Sequence, residues 1–100
     1  MRTTKNMDYI YTDDEQAVLI ETLQKNTRET IISQFVQCRK NKKMTQADLA
    51  RRTGIPRTNI TRFESGRYNP SLEMMVKIAA ALDMTVGLNL IAGENIGDNR

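Results

Sequence analysis

The stretch from Met44 to Gly66, Met-Thr-Gln-Ala-Asp-Leu-Ala-Arg-Arg-Thr-Gly-Ile-Pro-Arg-Thr-Asn-Ile-Thr-Arg-Phe-Glu-Ser-Gly, constrains the fold of this chain more than any other segment. Gly54 can adopt the left-handed backbone that stops a helix, because it has no Cβ to clash. Pro56 fits the first turn of a following helix, where a missing N–H costs nothing. Thr45 can cap the preceding helix by accepting a hydrogen bond from a free amide of its first turn, and Gly66 repeats the stop signal. The segment predicts two short helices, Gln46 to Thr53 and Arg57 to Ser65, hinged at Gly54. Leu49, Ala50 and Ile55 are spaced to meet Ile60 and Phe63 inside.

The second of these helices carries two faces with different tasks. With Arg57 at zero and about 100° per residue, Arg57, Thr61, Thr58 and Arg62 fall within an arc of about 140°, while Ile60 and Phe63 point the other way. A helix glued down by its apolar side and showing arginines and hydroxyls outward suits the major groove of DNA, where side chains must reach base edges from a rigid support. Asn69-Pro70-Ser71 then starts a further helix, with Ser71 as its cap and Met75, Ile78, Ala79 and Leu82 at core spacing to Leu82.

Over Ile31 to Leu82 the chain resembles the lambda-repressor-like helix-turn-helix domain of the XRE group. The resemblance is carried by Met44-Thr45-Gln46, Leu49-Ala50, Gly54-Ile55, Ile60, Phe63-Glu64-Ser65-Gly66 and Pro70-Ser71-Leu72. It implies an all-α five-helix bundle whose second and third helices form the DNA-reading unit, here with an extra N-terminal helix and a C-terminal β-strand. It also implies roles. Arg57, Thr58 and Arg62 match base-reading positions, and Thr61 shares their face. Gln46 matches a glutamine that contacts a phosphate and braces the reading helix. Arg39 and Glu64 match a partly buried ion pair that aims this helix. Lys43, Arg67 and Asn69 flank the unit as phosphate clamps. Asn59, at the border of the buried side, is expected on a phosphate and not on a base.

Charge agrees with a polyanion partner. The 100 residues carry a net charge of +3, yet from Ile31 to Pro70 there are nine cations (Arg39, Lys40, Lys42, Lys43, Arg51, Arg52, Arg57, Arg62, Arg67) against Asp48 and Glu64. Both flanks are mildly acidic, so the positive potential concentrates around the motif. An enzyme is not expected: the chain has no histidine, no nucleophile beside a base and no phosphate-cradling glycine loop. Asp13, Asp14 and Glu15 suit helix capping better than paired acid–base work. No cofactor or metal is expected, since one cysteine cannot build an ordinary zinc site. Cys38 has an inward helical spacing and reads as a small buried hydrophobe. Nothing resembles a signal peptide or a bilayer span, which points to a reducing cytoplasm.

Organisation along the chain completes the expectation. Residues 1–27 form an N-terminal extension with one helix, opened by a capping box, Thr12-Asp13-Asp14-Glu15, and broken at Asn26-Thr27. Thr27 caps the next helix, and residues 28–83 form the DNA-binding domain. Residues 84–92 alternate apolar with small or polar side chains, the period of a strand with one buried face. A lone strand needs an edge. Val86, Leu88 and Leu90 are therefore expected to pair with the same strand of a second copy about a two-fold axis, a feature that resembles HipB-type antitoxins. The alternative is that the strand folds back within its own chain, onto Tyr9-Ile10-Tyr11. Residues 93–100 are expected to be a flexible tail.

Two functions fit. One is a homodimeric, sequence-specific regulator of transcription, a repressor on a palindromic operator. The other is an antitoxin that neutralises a toxin protein and autoregulates its operon, as the resemblance to HipB- and HigA-type proteins and the acidic Asp13 to Leu23 segment suggest. No membrane partner is expected.

Overall fold

The computed structural model describes residues 9–11 and 17–92, with side chains from Leu19 onward. Its elements are a pair of short strands, β1 (Tyr9–Tyr11) and β2 (Ala17–Leu19), and four helices among the described residues: α1 (Ile20–Asn41), α2 (Gln46–Thr53), α3 (Arg57–Glu64) and α4 (Leu72–Ala81). The chain divides between Thr27 and Arg28 and again between Gly87 and Leu88, which separates a unit spanning Arg28–Gly87 from the rest.

The N-terminal region departs from expectation. Ala17–Leu19 forms a strand antiparallel to Tyr9–Tyr11, with Tyr9 opposite Leu19 and Tyr11 opposite Ala17. A short apolar run such as Ala17-Val18-Leu19 fits a strand as well as a helix face, so periodicity alone could not decide it. The expected break at Asn26-Thr27 is absent: α1 runs unbroken from Ile20 to Asn41, and Thr27 is an interior residue instead of a cap. Asn and Thr cost a helix only about half a kcal/mol each, and no glycine or proline lies between Ile20 and Asn41 to stop it. Within the described residues the expected N-terminal helix is present only as the first turns of α1, from Ile20, and four helices are seen there. The Thr12–Glu15 box and residues 93–100 lie outside the described residues.

In the Arg28–Gly87 unit the core is one cluster of Ile32 from α1, Leu49 from α2, Ile55 from the turn, Ile60 and Phe63 from α3, and Ile78 and Leu82 from α4 and its end. Burying each such side chain stabilises by about 1.5–3 kcal/mol. Phe35 and Phe63 meet edge to face with ring centroids 5.2 Å apart, which ties α1 to α3. Cys38 is half-buried against the cluster, not sealed within it. Arg52 donates to the carbonyl of Ala81 at 3.1 Å and joins α2 to the end of α4.

Residues 84–92 form no strand within the single chain, and Tyr9–Tyr11 pairs with β2. Leu88 and Leu90 are 80% and 93% exposed.

Candidate nucleic-acid interface

Local chemistry builds the two-helix unit from its ends inward. Thr45 caps α2: its hydroxyl accepts from the Asp48 amide at 3.0 Å, while the Asp48 carboxylate accepts from the Thr45 amide at 2.8 Å. This reciprocal box satisfies two otherwise orphaned donors. The bonds from Thr45, reinforced by Arg51, hold the Asp48 carboxyl below the usual aspartate range. Gly54 ends α2 at φ 76° and its amide donates to Ala50, a left-handed geometry that favours glycine. Pro56 takes the cap position of α3, one residue before the first helical turn where it was expected, and its carbonyl accepts from the amides of Asn59 and Ile60. Gly66 turns the chain after α3 at φ 73°.

The amphipathic division of α3 follows. Ile60 is completely buried and Phe63 nearly so, while Arg57, Thr58, Asn59, Thr61 and Arg62 are exposed. Asn59 thus stands clear of the core. Lys43 reverses the chain between α1 and α2 in a left-handed conformation, φ 57°, and is exposed, as are Arg67 and Asn69 beyond α3.

A polar network braces this helix from behind. Arg39, on α1, donates to both carboxylate oxygens of Glu64 at 2.7 and 3.0 Å and to the Met44 carbonyl at 2.7 Å. Gln46 donates to Glu64 at 2.9 Å and accepts from the Thr61 hydroxyl at 2.7 Å. One chain of bonds therefore links α1, the α1–α2 turn, the start of α2 and two positions of α3. Thr61 remains on the outer face, but its hydroxyl proton is committed to Gln46. Gln46 keeps one amide N–H for an external acceptor.

Two contacts were not foreseen from the sequence. Arg28, on α1, donates to the Gly66 carbonyl at 2.8 Å and to the Asn69 side-chain oxygen at 2.9 Å. It lies 38 residues from Gly66, so no local pattern could have flagged it. The second is Tyr68, whose ring centre lies 4.1 Å from the guanidinium carbon of Arg62. An aromatic residue just past the stop glycine, within the basic segment, was the one available hint.

An apolar cluster under a short helix, a preceding helix held across a glycine turn, and an outer row of arginines and hydroxyls define a helix-turn-helix unit. The helix-turn-helix family model matches residues 36–88, and the chain belongs to that family, in its XRE-type branch, a family of DNA-binding regulators and not of enzymes. An uncharacterised HTH-type transcriptional regulator of Archaeoglobus fulgidus is 44% identical over 43 residues, 43% of this chain and 61% of that protein. The immunity repressor protein of Bacillus phage phi105 is 35% identical over 65% of this chain and 44% of its own length. The chain thus spans less than two thirds of either relative. Among solved structures, a chain from a toxin–antitoxin module of Streptococcus pneumoniae shares the fold with a TM-score of 0.56 at 22% identity, covering 91% of this chain and 94% of that one. No helix among the described residues is long and apolar enough to cross a membrane.

Proposed function

We propose that the chain is a sequence-specific, double-stranded DNA-binding repressor of transcription that acts in the cytoplasm as a homodimer on a palindromic operator. The observation that carries this reading is α3 itself: Ile60 and Phe63 seal one face while Arg57, Thr58, Thr61 and Arg62 stand exposed on the other. Arg57 and Arg62 read bases, each able to donate two bonds to guanine O6 and N7. Thr58 contacts a thymine methyl or a base acceptor, and Thr61, whose hydroxyl proton goes to Gln46, contacts a thymine methyl. Lys43, Gln46, Asn59, Arg67 and Asn69 hold phosphates, which fixes position without specifying sequence. Asn69 suits that role because its oxygen faces Arg28 and its amide N–H groups remain for an acceptor. Residues 28–83 are the DNA-binding part. Val86, Leu88 and Leu90 pair with their copies, setting two reading helices about 34 Å apart on successive major grooves. The apolar exposure of Leu88 and Leu90 supports such pairing.

Fluorescence anisotropy with random duplexes and with duplexes selected from a random pool tests the assignment. Arg57→Ala and Arg62→Ala should flatten the preference between the two, and Lys43→Ala should weaken both alike. Equal loss in all three variants without a change in preference would refute the base-reading roles.

A second reading is an antitoxin that also binds its own operator. It is supported by the reach of the fold likeness, which extends beyond residues 36–88 in a chain of a toxin–antitoxin module. Co-expression with the product of the adjoining gene tests it: co-purification as a stoichiometric complex supports a toxin partner, and a lone protein in that experiment rules against it.

A further inference from the structure

We infer that Tyr68 is a positioning residue for sequence discrimination, holding the Arg62 guanidinium in the plane from which it reads its base. The inference rests on the DNA-reading role proposed for α3. Arg62 ends the exposed row of that helix, with four rotatable side-chain bonds between its backbone and its charge. A free arginine loses much of that freedom on binding, at a cost that lowers the return from any base contact. Here the guanidinium carbon lies over the Tyr68 ring, 4.1 Å from its centre. A guanidinium on an aromatic face keeps its N–H donors around its own edge, available for the two parallel bonds that guanine accepts.

The ring can impose this geometry because its own loop is tied on both sides. Gly66 turns the chain at φ 73°, and its carbonyl accepts from Arg28 Nε at 2.8 Å. Arg28 Nη1 also donates to the side chain of Asn69 at 2.9 Å. One arginine of α1 thus grips the residues flanking Arg67 and Tyr68, and the Ser65 hydroxyl accepts from the Arg67 amide at 3.2 Å. Tyr68 is still 49% exposed. A tyrosine placed only for core packing would not be half in solvent, whereas a support standing beside a groove-facing arginine must be. The ring hydroxyl has no side-chain or backbone partner among the described residues, so the support comes from the ring face.

The test uses the full chain and a duplex selected from a random pool by the wild-type protein, with single-base replacements at each guanine. Arg62→Ala first identifies the guanine whose replacement no longer matters. Tyr68→Ala should then lower discrimination at that guanine by about two- to fivefold, with affinity for random duplex unchanged. Tyr68→Phe should retain wild-type discrimination, and Tyr68→Ala should add nothing in an Arg62→Ala background. Thermal melting shows whether Tyr68→Ala is folded; should it not be, the Tyr68→Leu variant, which keeps bulk without an aromatic face, must show the same selective loss. The inference is overturned if Tyr68→Ala weakens random and selected duplexes alike, if its effect survives in Arg62→Ala, or if Arg62→Ala alters no base preference. Failure of the wild type to enrich any sequence overturns the DNA-reading role itself, which distinguishes that failure from one confined to Tyr68.

Discussion

Replacing Arg39 by methionine removes a buried cation while keeping most of its bulk, and the structure sets the scale of the consequence. Arg39 is 9% exposed, so solvent screens the pair weakly. Its loss deletes three hydrogen bonds, two to Glu64 and one to the Met44 carbonyl. Glu64 keeps only Gln46 as a partner, and a carboxylate beneath α3 is left without a counter-charge. Breaking a buried pair from one side costs about 3–5 kcal/mol. A chain of this size has roughly 5–15 kcal/mol in total, so Arg39→Met should remove about a fifth of the stability or more. Removing both charges is a different perturbation. In Arg39→Met/Glu64→Leu no ion is stranded, and only the Met44 carbonyl and Gln46 lose bonds, so the double variant should be more stable than either single one. Urea unfolding followed by helical circular dichroism measures all four proteins, and the cycle isolates the coupling. Single variants costing under about 1 kcal/mol, with effects that add in the double, would refute the claim that this pair is shielded and holds α3 in place.

The Thr45–Asp48 box predicts a pH effect. The folded state holds the Asp48 carboxyl below its ordinary value, so its contribution is complete at neutral pH and disappears as acid drives the pH down through that lowered value. Asp48→Asn should therefore lower the melting temperature at pH 7 and narrow its gap to wild type in strong acid. A constant gap would show that the carboxylate charge is irrelevant. For dimerisation, Leu88→Asp/Leu90→Asp should give monomers by sedimentation while the helical signal of residues 28–83 persists, and a dimer undisturbed by both charges would exclude that strand as the interface. Salt dependence gives a further check. Lys40, Lys43 and Arg67, which lie outside the base-reading row, make no salt bridge among the described residues, so binding should show a log–log salt slope of at least about 2.7 per protomer, at about 0.9 per phosphate. A slope near one would mean that the basic face does not meet the backbone.

The parts of the fold legible in the sequence are those specified by local chemistry. Thr45, Gly54, Gly66 and Ser71 each set a helix end through one backbone geometry or one cap bond, and the structure has them in those states. Ile60 and Phe63 point inward because a helix of eight residues leaves only one face to bury. The N-terminal strands were hidden for the complementary reason. Ala17–Leu19 is too short for its period to show, and what makes it a strand is pairing with Tyr9–Tyr11, a contact no local window contains. The unbroken α1 shows how weakly Asn26 and Thr27 resist a helix that has no glycine or proline to end it.

Charge was harder to read than shape. The basic middle segment counts its nine cations as equals, but the structure gives them separate work. Arg39 is withdrawn from solvent by Glu64, Arg51 is engaged by Asp48, Arg52 holds the end of α4, and Lys42 lies 3.7 Å from Asp83. Those residues consolidate the scaffold, and Arg39 in particular can neutralise no phosphate. The cations with no such tie bracket α3: Lys40 and Lys43 ahead of the motif, Arg57 at the start of the helix, Arg67 just past its end. Arg62 stands between the groups, exposed yet seated on Tyr68. A composition count therefore overstates the charge facing a polyanion, and the discriminating information lies in which arginines the protein leaves for its partner. That partition is made by Glu64, Asp48 and the Ala81 carbonyl, residues that contact no nucleic acid in the proposed complex but decide which cations can.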